Sequence, residues 1–63
     1  MNETERAKDW VAFYKQSPQK YNMNALIAVL RTDGERMLAR VLRELGLERS
    51  SDLVKDAEKN YGE

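Results

Sequence analysis

Arg36, Arg40 and Arg43 are the residues of this sequence best suited to contact chemistry. Their i, i+4, i+7 spacing puts them on one face of a helix. Guanidinium groups arranged this way offer forked donors that match the paired oxygens of carboxylates and phosphates. Arg31 and Arg49 stand just beyond the two ends of the same segment, and Glu44 is the one acid well placed to pair with Arg40. The bland reading is a solvated helix face, since arginine is a good helix former and a common filler of exposed positions. A second group is aromatic: Trp10, Phe13, Tyr14 and Tyr21 crowd the first third of the chain. Aromatic rings and arginines anchor protein–protein contacts, whereas in a small chain such rings more commonly form the core. One helix cannot bury Trp10, Phe13 and Tyr14 on a single face, so at least one ring is expected at the surface. The expected partner-binding residues are therefore Arg36, Arg40 and Arg43 for polar contacts, with Trp10 or Phe13 as anchor.

Other chemistry lacks its residues. With no Cys there is no thiolate nucleophile, disulfide framework or zinc knuckle, and with no His the usual general base and the commonest transition-metal ligand are missing. Thr4, Ser17, Thr32, Ser50 and Ser51 are hydroxyls without a base and read as caps and turns. Gly34, Gly46 and Gly62 are isolated, so no glycine-rich phosphate loop is present. Glu48, Asp52 and Asp56 recur every four residues, but a metal or acid pair needs carboxylates converging from other elements. They read as complements to a helix dipole and as a solvated face. No catalytic residue, metal or cofactor is expected, and the protein is expected to act by binding and not as an enzyme.

Four segments carry helical signals. Residues 3–16 place Ala7, Trp10, Val11 and Tyr14 at i, i+3, i+4 and i+7, with Phe13 beside the stripe. Asn2 with Glu5 resembles a capping box, and Ser17-Pro18 should end the helix because proline pushes the preceding residue out of the α region. Gln19 to Asn24 reads as a polar connector. The apolar run Ala25 to Leu30 fits a helix capped by Asn22 or Asn24, yet six apolar residues fit a short buried strand as well. Thr32-Asp33-Gly34 is a turn or cap signal. Residues 34–45 give the clearest helix, apolar at Met37, Leu38, Val41, Leu42 and Leu45, closed by Gly46 as a left-handed cap with Leu47 as its apolar contact. A last helix should open at Ser50 or Ser51, with Leu53, Val54, Ala57 and Tyr61 as its stripe and Gly62-Glu63 fraying.

A chain of 63 residues is one domain, and one this small is marginally stable, so a shared face in a homo-oligomer would help it. The charged N-terminal segment does not read as a signal peptide, and the longest apolar run is far short of the ~20 residues that cross a bilayer. The expected setting is cytoplasmic, with no membrane association. Eleven basic and eleven acidic side chains give zero net charge, which argues against a mainly electrostatic nucleic-acid binder. The sum hides unlike regions: residues 48–63 carry five acids against three bases.

From Gly34 onward the chain resembles the helix–turn–helix half of ribbon-helix-helix repressors of the Arc and CopG type. The likeness rests on Met37, Leu38, Val41, Leu42 and Leu45, then Glu44-Leu45-Gly46-Leu47, then Ser50-Ser51-Asp52-Leu53-Val54 with Ala57 and Tyr61, and covers about 30 of the 63 residues. It implies a dimeric helical core and a DNA-reading strand just before the first of the two helices. Here that stretch is Ala25 to Val29, whose side chains cannot hydrogen-bond a base edge. A local likeness to the theta accessory subunit of bacterial DNA polymerase III runs through Val11-Ala12-Phe13, Lys20-Tyr21-Asn22-Met23 and the aliphatic helix, and requires a gap. It implies a small helical accessory protein.

The expectation is a mainly α, single small domain of three to four short helices, self-associating, with residues 23–30, 37–45 and 53–61 forming the core and the first helix across them. The expected function is a small adaptor, inhibitor or regulator acting through the arginine stripe on a larger protein. The alternative is a ribbon-helix-helix dimer with one short strand at 25–30 that binds DNA.

Overall fold

The computed structural model describes residues 2–61, apart from the side chain of Tyr61. The expectations for Tyr61 in the last stripe and for Gly62-Glu63 lie outside the described residues.

Helix α1 spans Glu3–Gln16. Asn2 is extended, and its side-chain oxygen accepts the Glu5 N–H at 2.8 Å, satisfying one of the orphan donors of the first turn. Glu3 and Glu5 complement the positive end of the helix dipole. At the other end Ser17 is extended, as a residue before proline must be, and its N–H is shared between the Phe13 and Tyr14 carbonyls. Its hydroxyl lies 2.7 Å from the Tyr14 carbonyl and 3.0 Å from Asn22 Oδ1, joining the end of α1 to the start of the next helix.

A single 3₁₀ turn, Gln19–Tyr21, leads into α2, Asn22–Asp33. Residues 25–30 are helical, and the strand of the alternative reading is not seen. The packing supplies the reason. Ala25, Leu26, Ile27 and Val29 are all buried, and α2 contacts α1, α3 and α4. A helix covered on several sides is apolar nearly all round, which in sequence looks like a continuous run and not a stripe. The helix runs on through Thr32 and Asp33, so only Gly34 of the expected turn lies outside helix.

Gly34 alone joins α2 to α3, Glu35–Leu45. Its N–H bonds the Leu30 carbonyl at 3.0 Å, and its own carbonyl accepts from Leu38 N–H at 3.1 Å. Met37, Leu38, Val41 and Leu42 form the buried stripe of α3. The helix closes as the sequence indicates. Gly46 takes the left-handed conformation, its N–H bonds the Arg43 carbonyl, and Leu47 N–H returns to the Leu42 carbonyl at 2.8 Å while Leu47 packs on the core. These are the two bonds of a Schellman cap.

After a second 3₁₀ turn, Glu48–Ser50, α4 runs from Ser51 to Tyr61. Val54 is fully buried and Ala57 packs against the core, but Leu53 is 62% exposed, contrary to its place in the expected stripe. The sheltered side of α4 runs through Ser51, Val54, Lys55 and Glu58, an i, i+3, i+4, i+7 line. Burial of Val54 sets that rotation, and two ion pairs run beside it, Arg31 Nε to Glu58 at 3.1 Å and Lys55 Nζ to Glu35 at 3.5 Å. Leu53 is turned away from this line, outward.

The described residues thus form four α-helices without a strand, as the fold-class expectation has it. Helix α1 packs on α2 and α3, and α4 packs on α2 and α3 from the other side, so α1 and α4 do not meet. The radius of gyration, 10.7 Å, matches the value of about 11 Å for a compact chain of this length.

Candidate functional site

Burial of Met37, Leu38, Val41 and Leu42 turns the opposite side of α3 outward, carrying Arg36, Ala39, Arg40, Arg43 and Glu44. The start of α1 lies alongside it. Arg36 Nε stands 3.6 Å from Glu3 Oε1, and Arg40 Nη2 donates to Thr4 Oγ1 at 2.7 Å. The expected Arg40–Glu44 pair does not form, because the Arg40 guanidinium reaches across to α1 instead. Arg43 has no ion pair among the described residues. Glu3, Arg36, Ala39, Arg40, Arg43 and Glu44 line an open depression of about 450 Å³. Three guanidinium groups against two carboxylates leave it with a positive surplus. The Arg36–Glu3 pair is long, and Arg36 is 89% exposed, so solvent screens it and the guanidinium stays available. Arg40 is the anchored member and Arg36 and Arg43 the accessible ones.

Trp10 and Phe13 belong to a different surface. Arg6, Asp9, Trp10 and Phe13 recur at i, i+3, i+4 and i+7 on α1 and line a shallow depression of about 240 Å³ that shares no residue with the first. Trp10 is half-buried, and Phe13, 49% exposed, meets it edge-on with ring centroids 5.7 Å apart. The structure therefore keeps the arginines together and sets the aromatics apart from them.

What orients Trp10 is Asp33, which sequence reasoning took only as part of a turn. Arg6 grips the Asp33 carboxylate with two donors, Nε to Oδ2 at 2.6 Å and Nη2 to Oδ1 at 2.8 Å, and Trp10 Nε1–H donates to Oδ2 at 2.6 Å. Asp33 is the last residue of α2, at the negative end of that helix's dipole, where a carboxylate needs outside compensation. Three N–H donors from two α1 residues supply it. No local signal marks this clasp, since its partners lie 27 and 23 residues apart.

The Arg6 hydrogen bond, followed by that of Trp10, holds the Asp33 carboxyl below the ordinary aspartate range. A carboxylate whose folded pKa is depressed stabilises the fold above its unfolded value of about 3.9 and ceases to do so as pH falls through the folded value. Asp33→Asn is accordingly expected to destabilise the protein at pH 7, with the gap to wild type shrinking as pH drops below about 4. Urea titrations of both proteins between neutral and strongly acid pH check this, and a gap that does not change with pH would remove the clasp from the account.

Among the described residues no three acidic side chains converge so as to hold a metal ion, and no helix is long and apolar enough to cross a membrane. No protein-family model, curated protein or solved structure matches the chain.

Proposed function

We propose that this protein is a small non-enzymatic binding protein, an adaptor, inhibitor or regulator, that docks the outer face of α3 onto an acidic surface of a larger protein. The observation that carries the reading is the α3 depression, where Arg36 and Arg43 keep accessible donors beside an anchored Arg40. Guanidinium forks recognise carboxylates in pairs, while the half-exposed Phe13 ring stands on the separate surface of α1 and takes no part in this contact. The setting we infer is the cytoplasm, where a chain without cysteine needs no oxidising environment.

The test is capture of partners on immobilised wild-type protein and on Arg36→Glu/Arg43→Glu. Both side chains are exposed, so reversing them spares the core. The protein retained by wild type is expected to be lost on the variant, and to bind wild type more weakly as salt rises and screens the contact. Equal recovery of every partner by both would overturn the reading. Retention of duplex DNA in place of protein, with a steep salt dependence, would favour the nucleic-acid alternative.

A further inference from the structure

We infer that the α3 depression also receives the outer face of α4 from a second copy of this chain, making the protein self-associate through opposite charges. This rests on the reading of that depression as a docking surface and names a second occupant for it. The chain carries charges of opposite sign on two faces that form no ion pair with each other among the described residues. Arg36, Arg40 and Arg43 line the depression beside the start of α1. Asp52 and Asp56 are exposed on α4, and neither forms an ion pair among the described residues, although Arg49 and Lys59 share the same stretch of chain. Helix α4 packs on α2 and α3 and has no contact with α1, whose Glu3 helps to line the depression.

An apolar side chain accompanies the acids. Leu53, between Asp52 and Asp56 in sequence, is 62% exposed, the most exposed large apolar residue described. Its neighbour Val54 is fully buried, so Leu53 stands out for want of a partner and not because α4 is detached. The opposing surface is suited to it, with the exposed Ala39 methyl and the aliphatic stems of the arginines between the charged heads. The spacing agrees too. Four helical residues place Asp52 and Asp56 about 6 Å apart, inside the roughly 10.5 Å between Arg36 and Arg43, so the two acids fit within the span of the outer arginines. Both surfaces are present on every copy, so each copy can both offer and receive the contact.

The experiment is sedimentation equilibrium of the purified protein alone at low salt, which separates this contact from capture of any other protein. Wild type is expected to associate, and Leu53→Lys, an exposed substitution that leaves the core intact, to weaken association about tenfold or more. Arg36→Asp/Arg43→Asp and Asp52→Arg/Asp56→Arg are each expected to be monomeric alone and to associate when mixed, because each supplies the charge that the other lacks. That rescue also shows that both variants are folded. Wild type that stays monomeric at about 1 mM, near the weak limit of specific association, would overturn the inference. So would association that Leu53→Lys leaves unchanged, or charge-reversed variants that do not recover on mixing.

Discussion

Leu38→Ala is expected to leave the protein largely unfolded. Leu38 lies in the middle of α3, fully buried among the residues of the core. Truncating a buried leucine to alanine costs about 2–5 kcal/mol, the transfer of the lost atoms plus the cavity that remains. A single core in a chain this short rarely supplies more than ~3–5 kcal/mol, so the loss is of the order of the whole stability. Helix α3 also has no independent reserve, because most of its stability comes from the packed stripe and not from propensity. Far-UV circular dichroism and urea titration would register the change. Two companions make the test specific. Leu38→Met keeps the volume and is expected to cost under about 1.5 kcal/mol. Leu53→Ala removes a mostly exposed side chain and is expected to fall within about 0.5 kcal/mol of wild type. A Leu38→Ala protein as stable as wild type would mean that α3 does not carry the core.

The contrast between Leu38 and Leu53 also shows what could be read without coordinates. In α3, apolar residues, a glycine cap and a following leucine all agree, and the helix, its buried stripe and its Schellman end follow from local signals. The same holds for α1, whose bounds are set by Asn2 and by Ser17-Pro18. The rotation of α4 is different. Its sequence allows a stripe through Leu53, Val54 and Ala57, but α4 packs with Val54 innermost, beside the Arg31–Glu58 and Glu35–Lys55 pairs, and Leu53 faces outward. The ambiguity of residues 25–30 has a similar cause, because a central helix loses the periodicity by which helices are recognised. For the site, spacing sufficed to place Arg36, Arg40 and Arg43 on one face. The crossing of α1 over α3, which anchors Arg40 on Thr4, and the Asp33 clasp that orients Trp10 depend on contacts between distant segments, which no short-range pattern encodes.

Gly34→Ala is the other change with a large expected effect, and it acts through the backbone alone. Gly34 adopts φ +90° and ψ 177°, a region essentially reserved for glycine. A Cβ placed there meets nothing within 4 Å, so no neighbour has to move and no relaxation of side chains can relieve the cost. Holding alanine in that conformation costs of order 1–3 kcal/mol, only partly offset by the ~0.4–1 kcal/mol that glycine-to-alanine replacement gains by restricting the unfolded chain. The escape route is a right-handed conformation at residue 34, which would merge α2 and α3 into one continuous helix and separate the core faces of the two. The same rearrangement would carry Arg40 away from Thr4, so the arginine surface is expected to fail along with stability. The left-handed Gly46, at φ +73° and ψ 23°, is an instructive comparison: alanine there costs roughly 1–2 kcal/mol, and asparagine, which tolerates this conformation, less. The decisive measurement uses chemical synthesis, within reach for 63 residues, to place D-alanine at position 34. A D-residue favours positive φ and is expected to recover most of the stability lost in the L-alanine protein, because φ +90° with ψ 177° is the mirror image of an ordinary extended conformation. Equal instability of the two enantiomers would sink the conformational argument.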